Sequence, residues 1–240
     1  MKFKKRKTFI FDLDDTLIWN AYDYSDILAE FYFYLRRKIT PSCPYITDLM
    51  NLQREIDEKY TTKRGFNFRR FPLSLAKTYK QICEDTGIDY CQNIADGCYK
   101  IGMKTFTLPN TEMVEGAKDC LEFLINKDDE LLLLTKGYKS IQQKKIDKFD
   151  LGKYFSEISI TLRAKDSILF QEISDKRDKN FVYSVGNSQS SDILPALDAG
   201  LKAIYIPWEG GWNFNNHKLV HEHLKKFKRI DEIVKNYEKL

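Results

Sequence analysis

Two carboxylates, Asp12 and Asp14, stand one residue apart directly after the apolar run Thr8-Phe9-Ile10-Phe11, with Thr16 two positions further on. A run of that texture reads as a strand buried on both faces, and along a strand the side chains at i and i+2 point the same way. Asp12 and Asp14 therefore face one site while Leu13 faces the other layer. At the carboxyl end of a strand in an α/β sheet, that site is where ligands bind. Two carboxylates held together repel unless a cation or a shared proton intervenes. With oxygen ligands only, the cation is hard, and Mg²⁺ is the economical choice. The competing reading is that the acidic residues merely end a strand at a turn.

The elements that would position such a site are visible in the apolar texture. Leu131 to Leu134, Phe181 to Val185 and Ala203 to Ile206 are further short, nearly continuous apolar runs, and they predict buried strands of a parallel sheet. Helical patterns precede them at Glu115 to Asn126, Asp166 to Ile173 and Asp192 to Ala199, the last closed by Gly200. Strand alternating with helix predicts an α/β fold, a Rossmann-like parallel sheet flanked by helices. Residues 20–105 carry no strand pattern. There Ile27, Leu28, Phe31 and Leu35 recur at helical spacing, as do Leu49, Ile56 and Tyr60, then Leu75, Tyr79 and Cys83, then Ile94, Cys98 and Ile101. Pro41, Pro44, Gly65, Pro72, Gly87 and Gly102 punctuate the four patterns. The expected organisation is a core of residues 1–19 and 106–240 with a helical subdomain of residues 20–105, too long for a simple crossover. Leu219 to Leu240 reads as a lysine-rich amphipathic helix with Leu224, Phe227, Ile230 and Val234 inward.

Composition narrows the function classes. With 42% hydrophobic and 31% charged residues in 240, the chain is too apolar for a disordered tail. Its 39 basic and 35 acidic residues leave only +4, and the basic residues are scattered, so a dedicated nucleic-acid binder is not suggested. No apolar run approaches the roughly 20 residues of a spanning helix, which predicts no membrane span. The basic stretch Met1 to Lys7 is followed by no small-residue cleavage site, so the expectation is an unprocessed, cytoplasmic chain. Five cysteines without a Cys-x-x-Cys pair argue against a disulfide framework or a zinc clip.

The segment Phe9-Ile10-Phe11-Asp12-Leu13-Asp14-Asp15-Thr16-Leu17 resembles the first signature of the haloacid dehalogenase-like hydrolase superfamily, and three more signatures follow in order. Leu132 to Gly137 resembles the second, a strand ending in a hydroxyl, here Thr135, that holds the phosphoryl group. Lys165, in Arg163-Ala164-Lys165-Asp166, resembles the third, a lysine near a helix start that stabilises phosphoryl and nucleophile charge. Val185 to Asp192 resembles the fourth, with Asn187 where the usual motif places aspartate. The helical insert is similar to the small cap of the type-one subgroup, which sets specificity.

What the resemblance implies is a two-step phosphoryl transfer. Asp12 attacks phosphorus, Asp14 protonates the leaving alcohol and later deprotonates water, and Thr135 and Lys165 neutralise phosphoryl oxygens. Thr135 and Lys136 would contact the substrate. Mg²⁺ would be held by Asp12, Asp14 through its backbone carbonyl, Asn187 and Asp192. An amide ligand at 187 coordinates without contributing charge. The expected activity is an Mg²⁺-dependent phosphatase for a small phosphorylated metabolite. Rival readings are a haloacid dehalogenase, a phosphomutase, and a non-catalytic regulatory scaffold motivated by Asn187.

Other residues carry weaker signals. Arg70, with Arg69 and Phe71, suits the anionic tail of a substrate because arginine forks match phosphate and carboxylate; a solvated loop at a helix start is the alternative. Trp19 and Tyr22 would line a pocket or pack at a hinge, and Trp208 and Trp212, flanking Gly210 and Gly211, would lie near the site or pack on the last helix. His217 and His221 form a helical i, i+4 pair beside His223, a pattern that only superficially suggests zinc.

Overall fold

A computed structural model of the chain describes residues 6–64, 67–107, 112–208 and 219–240. Gly65, Gly210, Gly211, Trp212 and His217, singled out above, lie outside the described residues. The chain divides into two compact units, residues 1–21 with 111–240, and residues 22–110.

The first unit is built on one sheet of six parallel strands in the order β3-β2-β1-β4-β5-β6. These are β1 (Thr8–Phe11), β2 (Glu130–Lys136), β3 (Glu157–Thr161), β4 (Val182–Gly186), β5 (Lys202–Tyr205) and β6 (Leu224–Lys226). Every residue of β1 and β4 is buried, which is why they appear in sequence as continuous apolar runs. Alternation sorts their side chains between two layers. Phe9, Phe11, Leu131, Leu133, Tyr183 and Val185 pack with α5 (Ala117–Asn126) on one face. Ile10, Leu132, Leu134 and Val182 pack on the other with α7 (Ser167–Ser174) and α8 (Leu194–Asp198).

Register delivers the site. Phe11 pairs with Leu133 on one side and Val185 on the other, so Asp12 is level with Leu134 and Gly186. Thr135 and Asn187 are then one step further along adjacent strands, at the same carboxyl edge. The Asp12 amide extends the ladder by donating to the Val185 carbonyl at 2.9 Å.

The edge strands differ from expectation. β3 carries alternating, partly exposed residues and gives no apolar run. The expected helix over Leu219 to Leu240 is instead β6, a bend, α9 (Glu232–Lys235) and a short 3₁₀ turn. Leu224, Phe227, Ile230 and Val234 do face inward at a spacing of three and four. The open edge of β5 nevertheless offers backbone hydrogen bonds, and Ala203 to Tyr205 pair in parallel with Leu224 to Lys226. Tertiary pairing overrides the helical period. His221 and His223 accordingly lie in the turn before β6, not on a helix.

Arg177 ties β2 to β3 with bonds to both Glu130 oxygens, at 2.7 and 2.8 Å, and to Glu157 at 2.8 Å. The Arg177 bonds hold the Glu130 carboxyl below its usual range despite partial burial. Arg177→Ala is expected to destabilise the protein by about 1–3 kcal/mol, since a half-buried bidentate carboxylate loses its partner. Because the folded Glu130 pKa is depressed, its contribution is present above the ordinary Glu range and lost as pH falls through the depressed value. Unfolding curves at neutral pH and in mild acid should therefore separate wild type from the variant at neutral pH and converge in acid.

The second unit contains four helices: α1 (Ala21–Ile39, shared at its first residue with the other unit), α2 (Ile46–Arg64), α3 (Arg70–Thr86) and α4 (Gln92–Thr107). Their core gathers Phe31, Leu35, Leu49, Phe71, Leu75, Tyr79 and Cys98. Gly87, at φ +74°, ends α3 with its amide on the Cys83 carbonyl. Pro72 and Gly102, read above as breaks, lie inside α3 and α4. Proline is tolerated in a first turn. Gly102 is there because a Cβ would meet the Pro72 Cα at 2.6 Å. Gly102→Ala must push two helix backbones apart, and a loss of about 1–3 kcal/mol is expected in denaturant titration, against a small gain were the site roomy.

Candidate active site

Asp12 is the buried centre of the carboxyl edge. Lys165 Nζ donates to Asp12 Oδ1 and, at 2.8 Å, to Asp192 Oδ1. Thr16 Oγ1 donates to Asp12 Oδ2 at 3.2 Å. Lys165 directly precedes Asp166, whose side chain caps α7 by accepting from the Leu169 amide at 2.8 Å, so a helix start fixes the lysine's backbone. Burial raises the Asp12 pKa to about 7; Lys165 opposes the rise, and the Asp192 and Asp14 carboxylates add to it. Burial disfavours the Lys165 charge, but Asp12 and Asp192 more than offset this and leave its pKa raised.

Asp192 is held where it is by an unusual piece of backbone. Gln189–Ile193 forms one π-helical turn after β4, a feature frequent at functional sites. The Ser188 amide donates to Asp192 Oδ2 at 3.0 Å, and Ser184 Oγ donates to the Asp192 carbonyl at 2.8 Å. A Cβ on residue 186 would lie 2.5 Å from the Asp192 carboxylate. Glycine at the end of β4 is therefore what admits Asp192 beside Lys165. Asp192, expected at a metal, accepts one hydrogen bond at each carboxylate oxygen, from Lys165 and from the Ser188 amide.

Asp14 faces a second group of partners. Lys145 Nζ, on α6 (Lys139–Lys148), donates to Asp14 Oδ1 at 2.7 Å, and Gln142 Nε2 donates to Asp14 Oδ2 at 2.8 Å. Gln142 Nε2 also reaches Thr135 Oγ1 at 2.6 Å, and Lys145 Nζ reaches Asn20 Oδ1 at 2.7 Å. The fully buried Thr135 hydroxyl, as acceptor from Gln142, keeps its own O–H for another acceptor. Asp15, at φ +59°, turns the chain after Asp14 and accepts from the amides of Asn20 and Ala21 at 2.9 and 2.8 Å. Burial and the nearby Lys165 charge depress the Lys136 pKa.

The donors also fit a hard cation. Asp12 Oδ2 has only the long Thr16 bond, and the Asp14 carbonyl and half-buried Asn187 amide have no hydrogen-bond partner among the described residues. All are oxygen donors just past the carboxyl ends of β1 and its neighbour β4. Among the described residues no three His, Cys, Asp or Glu side chains gather around a common point. An all-oxygen set is of the kind that Mg²⁺ accepts, since that ion takes few carboxylates and completes its shell with water and phosphate oxygens.

Arg70 lies in the helical unit, where it bonds to Asp57 Oδ2 at 2.8 Å. Trp19 and Trp208 pack together, ring centroids 5.6 Å apart, and line a cavity of about 200 Å³ with Asp15, Thr16 and Arg229. Sequence reading passed over Gln142 and Lys145 because the surrounding helix averages as polar and lysine-rich. The usable signal was their i, i+3 spacing soon after the strand that carries Thr135.

Comparison with known proteins agrees with this architecture. The structure superposes on a haloacid dehalogenase-like family hydrolase from Xanthomonas campestris with a TM-score of 0.75 and 20% identity, covering 98% of this chain and 91% of that one. It superposes on a magnesium-bound structure of YfnB, a proposed HAD-hydrolase of Bacillus subtilis, with a TM-score of 0.64 and 15% identity over 97% and 98% of the two chains. The chain has the fold of the haloacid dehalogenase-like hydrolases, the family that its four motifs resemble. In sequence, 113 residues are 26% identical to the pyrimidine 5'-nucleotidase PynA of Streptococcus pneumoniae; the match spans 44% of this chain and less than half, 46%, of PynA. No protein-family model matches the chain. No described helix is long and apolar enough to cross a membrane.

Proposed function

We propose that the chain is an Mg²⁺-dependent phosphatase that hydrolyses a small phosphomonoester through a phosphoryl group carried on Asp12. The observation that carries this reading is the buried carboxylate of Asp12, aimed by Lys165 and Thr16, next to a Thr135 hydroxyl whose proton has no acceptor among the described residues. The Asp12 carboxylate attacks phosphorus as the alcohol oxygen leaves. Thr135 and Lys165, with Lys136 nearby, donate to the phosphoryl oxygens and lower the repulsion an anionic nucleophile meets. Asp14 delivers a proton to the leaving oxygen and takes one from the water that later cleaves the aspartyl-phosphate. Asp12, the Asp14 carbonyl and Asn187 would hold Mg²⁺, with Asp192 steadying Lys165; when bound, the ion supplies positive charge to the phosphoryl oxygens. The helical unit is read as the cap that selects the substrate, with Arg70 reserved as a contact for an anionic tail.

The similarity to PynA puts nucleoside 5'-monophosphates first among substrates to test. Phosphate release from such a panel, with Mg²⁺ and with EDTA, should be metal-dependent and fastest on a small number of esters. Chloride release from 2-chloropropionate without phosphate release would favour dehalogenase chemistry instead. Asn187→Asp adds one negative charge beside the cation. At an effective dielectric of about 20 this is expected to tighten Mg²⁺ roughly tenfold after desolvation. Titration of activity against Mg²⁺ reads the shift, and an unchanged midpoint would take Asn187 out of the metal site.

A further inference from the structure

α6 belongs to none of the four motifs, yet it contributes more hydrogen bonds to Asp14 than any of them. Apart from Ile141 and the buried Ile146 its residues are polar, and nothing in their type calls for burying the rest. Gln142 and Lys145 are nonetheless 2% and 5% exposed. Burying an amide and an ammonium is costly unless each is bonded, and here the compensating bonds run to Asp14 and Thr135, with one more from Lys145 to Asn20. Both oxygens of Asp14 are taken, one by each residue, and a carboxylate held at two oxygens is fixed in rotation. The Gln142 amide is shared between Asp14 and Thr135. The backbone makes room for this contact: a Cβ on Gly137 would fall 2.7 Å from Gln142 Cγ and 2.9 Å from its Cδ.

We propose that Gln142 and Lys145 are positioning residues that lock the Asp14 carboxylate in place relative to the Thr135 hydroxyl, and that Gly137 is glycine so that Gln142 can reach both. The inference rests on the phosphatase reading insofar as Asp14 is the acid and base of that reaction. One amide sets the distance between the group that handles the proton and the group that holds the phosphoryl oxygen. By accepting from Gln142, the Thr135 oxygen is also left with its proton directed away, toward the phosphoryl side. Lys145, anchored to Asn20 as well, fixes the second Asp14 oxygen against the loop that follows β1. A misplacement of about 1 Å at such a group costs about 10²-fold in rate.

The test is a pair of double-mutant cycles, Gln142→Leu and Lys145→Met, each made in the native and the Asp14→Asn protein. With p-nitrophenyl phosphate and saturating Mg²⁺, each single variant is expected to lose about 30- to 100-fold in kcat with KM within about threefold. In the Asp14→Asn background the same substitutions should cost less than about threefold, because no acid/base group is left to position. Gly137→Ala should reproduce the loss of Gln142→Leu, and Lys145→Arg should recover part of the loss of Lys145→Met. Losses that multiply in full in both backgrounds, or that fall on KM alone, would overturn the proposal. Thermal midpoints of the Asp14/Lys145 cycle read the pairing without turnover: the double variant should depart from additivity by about 3 °C or more, and additive midpoints would overturn it. A wild-type protein inert on every phosphomonoester, with midpoints still non-additive, would overturn the phosphatase reading while supporting the lock on Asp14.

Discussion

Asp12→Asn is expected to abolish phosphate release, by about 10⁴-fold or more, while leaving the protein folded and no less stable. An amide is nearly the shape of a carboxylate but a far poorer nucleophile. In place of Asp12 it also removes one of the two buried carboxylates that Lys165 bridges, while Lys165 keeps Asp192 as partner. The pH dependence is distinctive. In the metal-free protein the Asp12 pKa is raised from 3.8 to about 7, so the folded state binds a proton that the unfolded state releases. That contribution is fully present below about 3.8 and is lost as pH rises through about 7. Wild type should therefore lose stability across this window relative to Asp12→Asn, and Mg²⁺ should restore it at the upper end. A variant that turns over near the native rate, or a pair of parallel stability profiles, would contradict the role given to Asp12.

Lys165→Met is expected to have the largest effect on stability as well as a severe effect on turnover. Among the described residues, Lys165 alone forms an ion pair with Asp12 and with Asp192, both buried. Its removal leaves two carboxylates facing each other without a cation, and breaking a buried pair in this way costs about 3–5 kcal/mol. Sign follows from the same linkage: Asp12, already raised by burial, loses the lysine that opposes the rise, so the variant should be least stable at alkaline pH and regain stability as pH falls. Activity should fall by about 10³-fold or more, since the phosphoryl oxygens and the attacking carboxylate lose their shared counter-charge. Thermal melts at two pH values, with and without Mg²⁺, check the first part, and single-turnover kinetics the second. A variant as stable as wild type at alkaline pH would mean that Lys165 does not bridge the two aspartates.

How much of this was legible in the sequence depends on whether a residue's environment is written in its neighbours. Thr8 to Phe11 and Leu131 to Leu134 announce buried strands because both their faces are covered, and the acidic and hydroxyl residues that end them fall at the sheet edge by register alone. β3 and β6 leave no such mark, since an edge strand needs only one apolar face and β6 is three residues long. Pro72 and Gly102 looked like punctuation, although close approach of two helices is what demands Gly102. Within the site, Asp12, Thr135 and Lys165 were legible as motif residues, but the partners of Asp14 were not. Gln142 and Lys145 are polar residues on a polar helix, and only the tertiary fold tells a buried lysine from a solvated one. Asp192 illustrates the remaining gap: its position was plain, but its bonds to Lys165 and the Ser188 amide depend on the π-turn and on Gly186.

The most direct measurement is to find where the phosphoryl group resides during turnover. Asp14→Asn protein incubated with Mg²⁺ and a phosphomonoester should accumulate one phosphoryl group per chain, because attack proceeds on an activated leaving group while hydrolysis lacks its base. Intact-mass analysis followed by peptide mapping should place that group on Asp12, with an acyl-phosphate's lability to hydroxylamine. The adduct should be absent from Asp12→Asn. Wild-type turnover of the same ester with no phosphoryl adduct in Asp14→Asn, or with the adduct on another residue, would contradict the account.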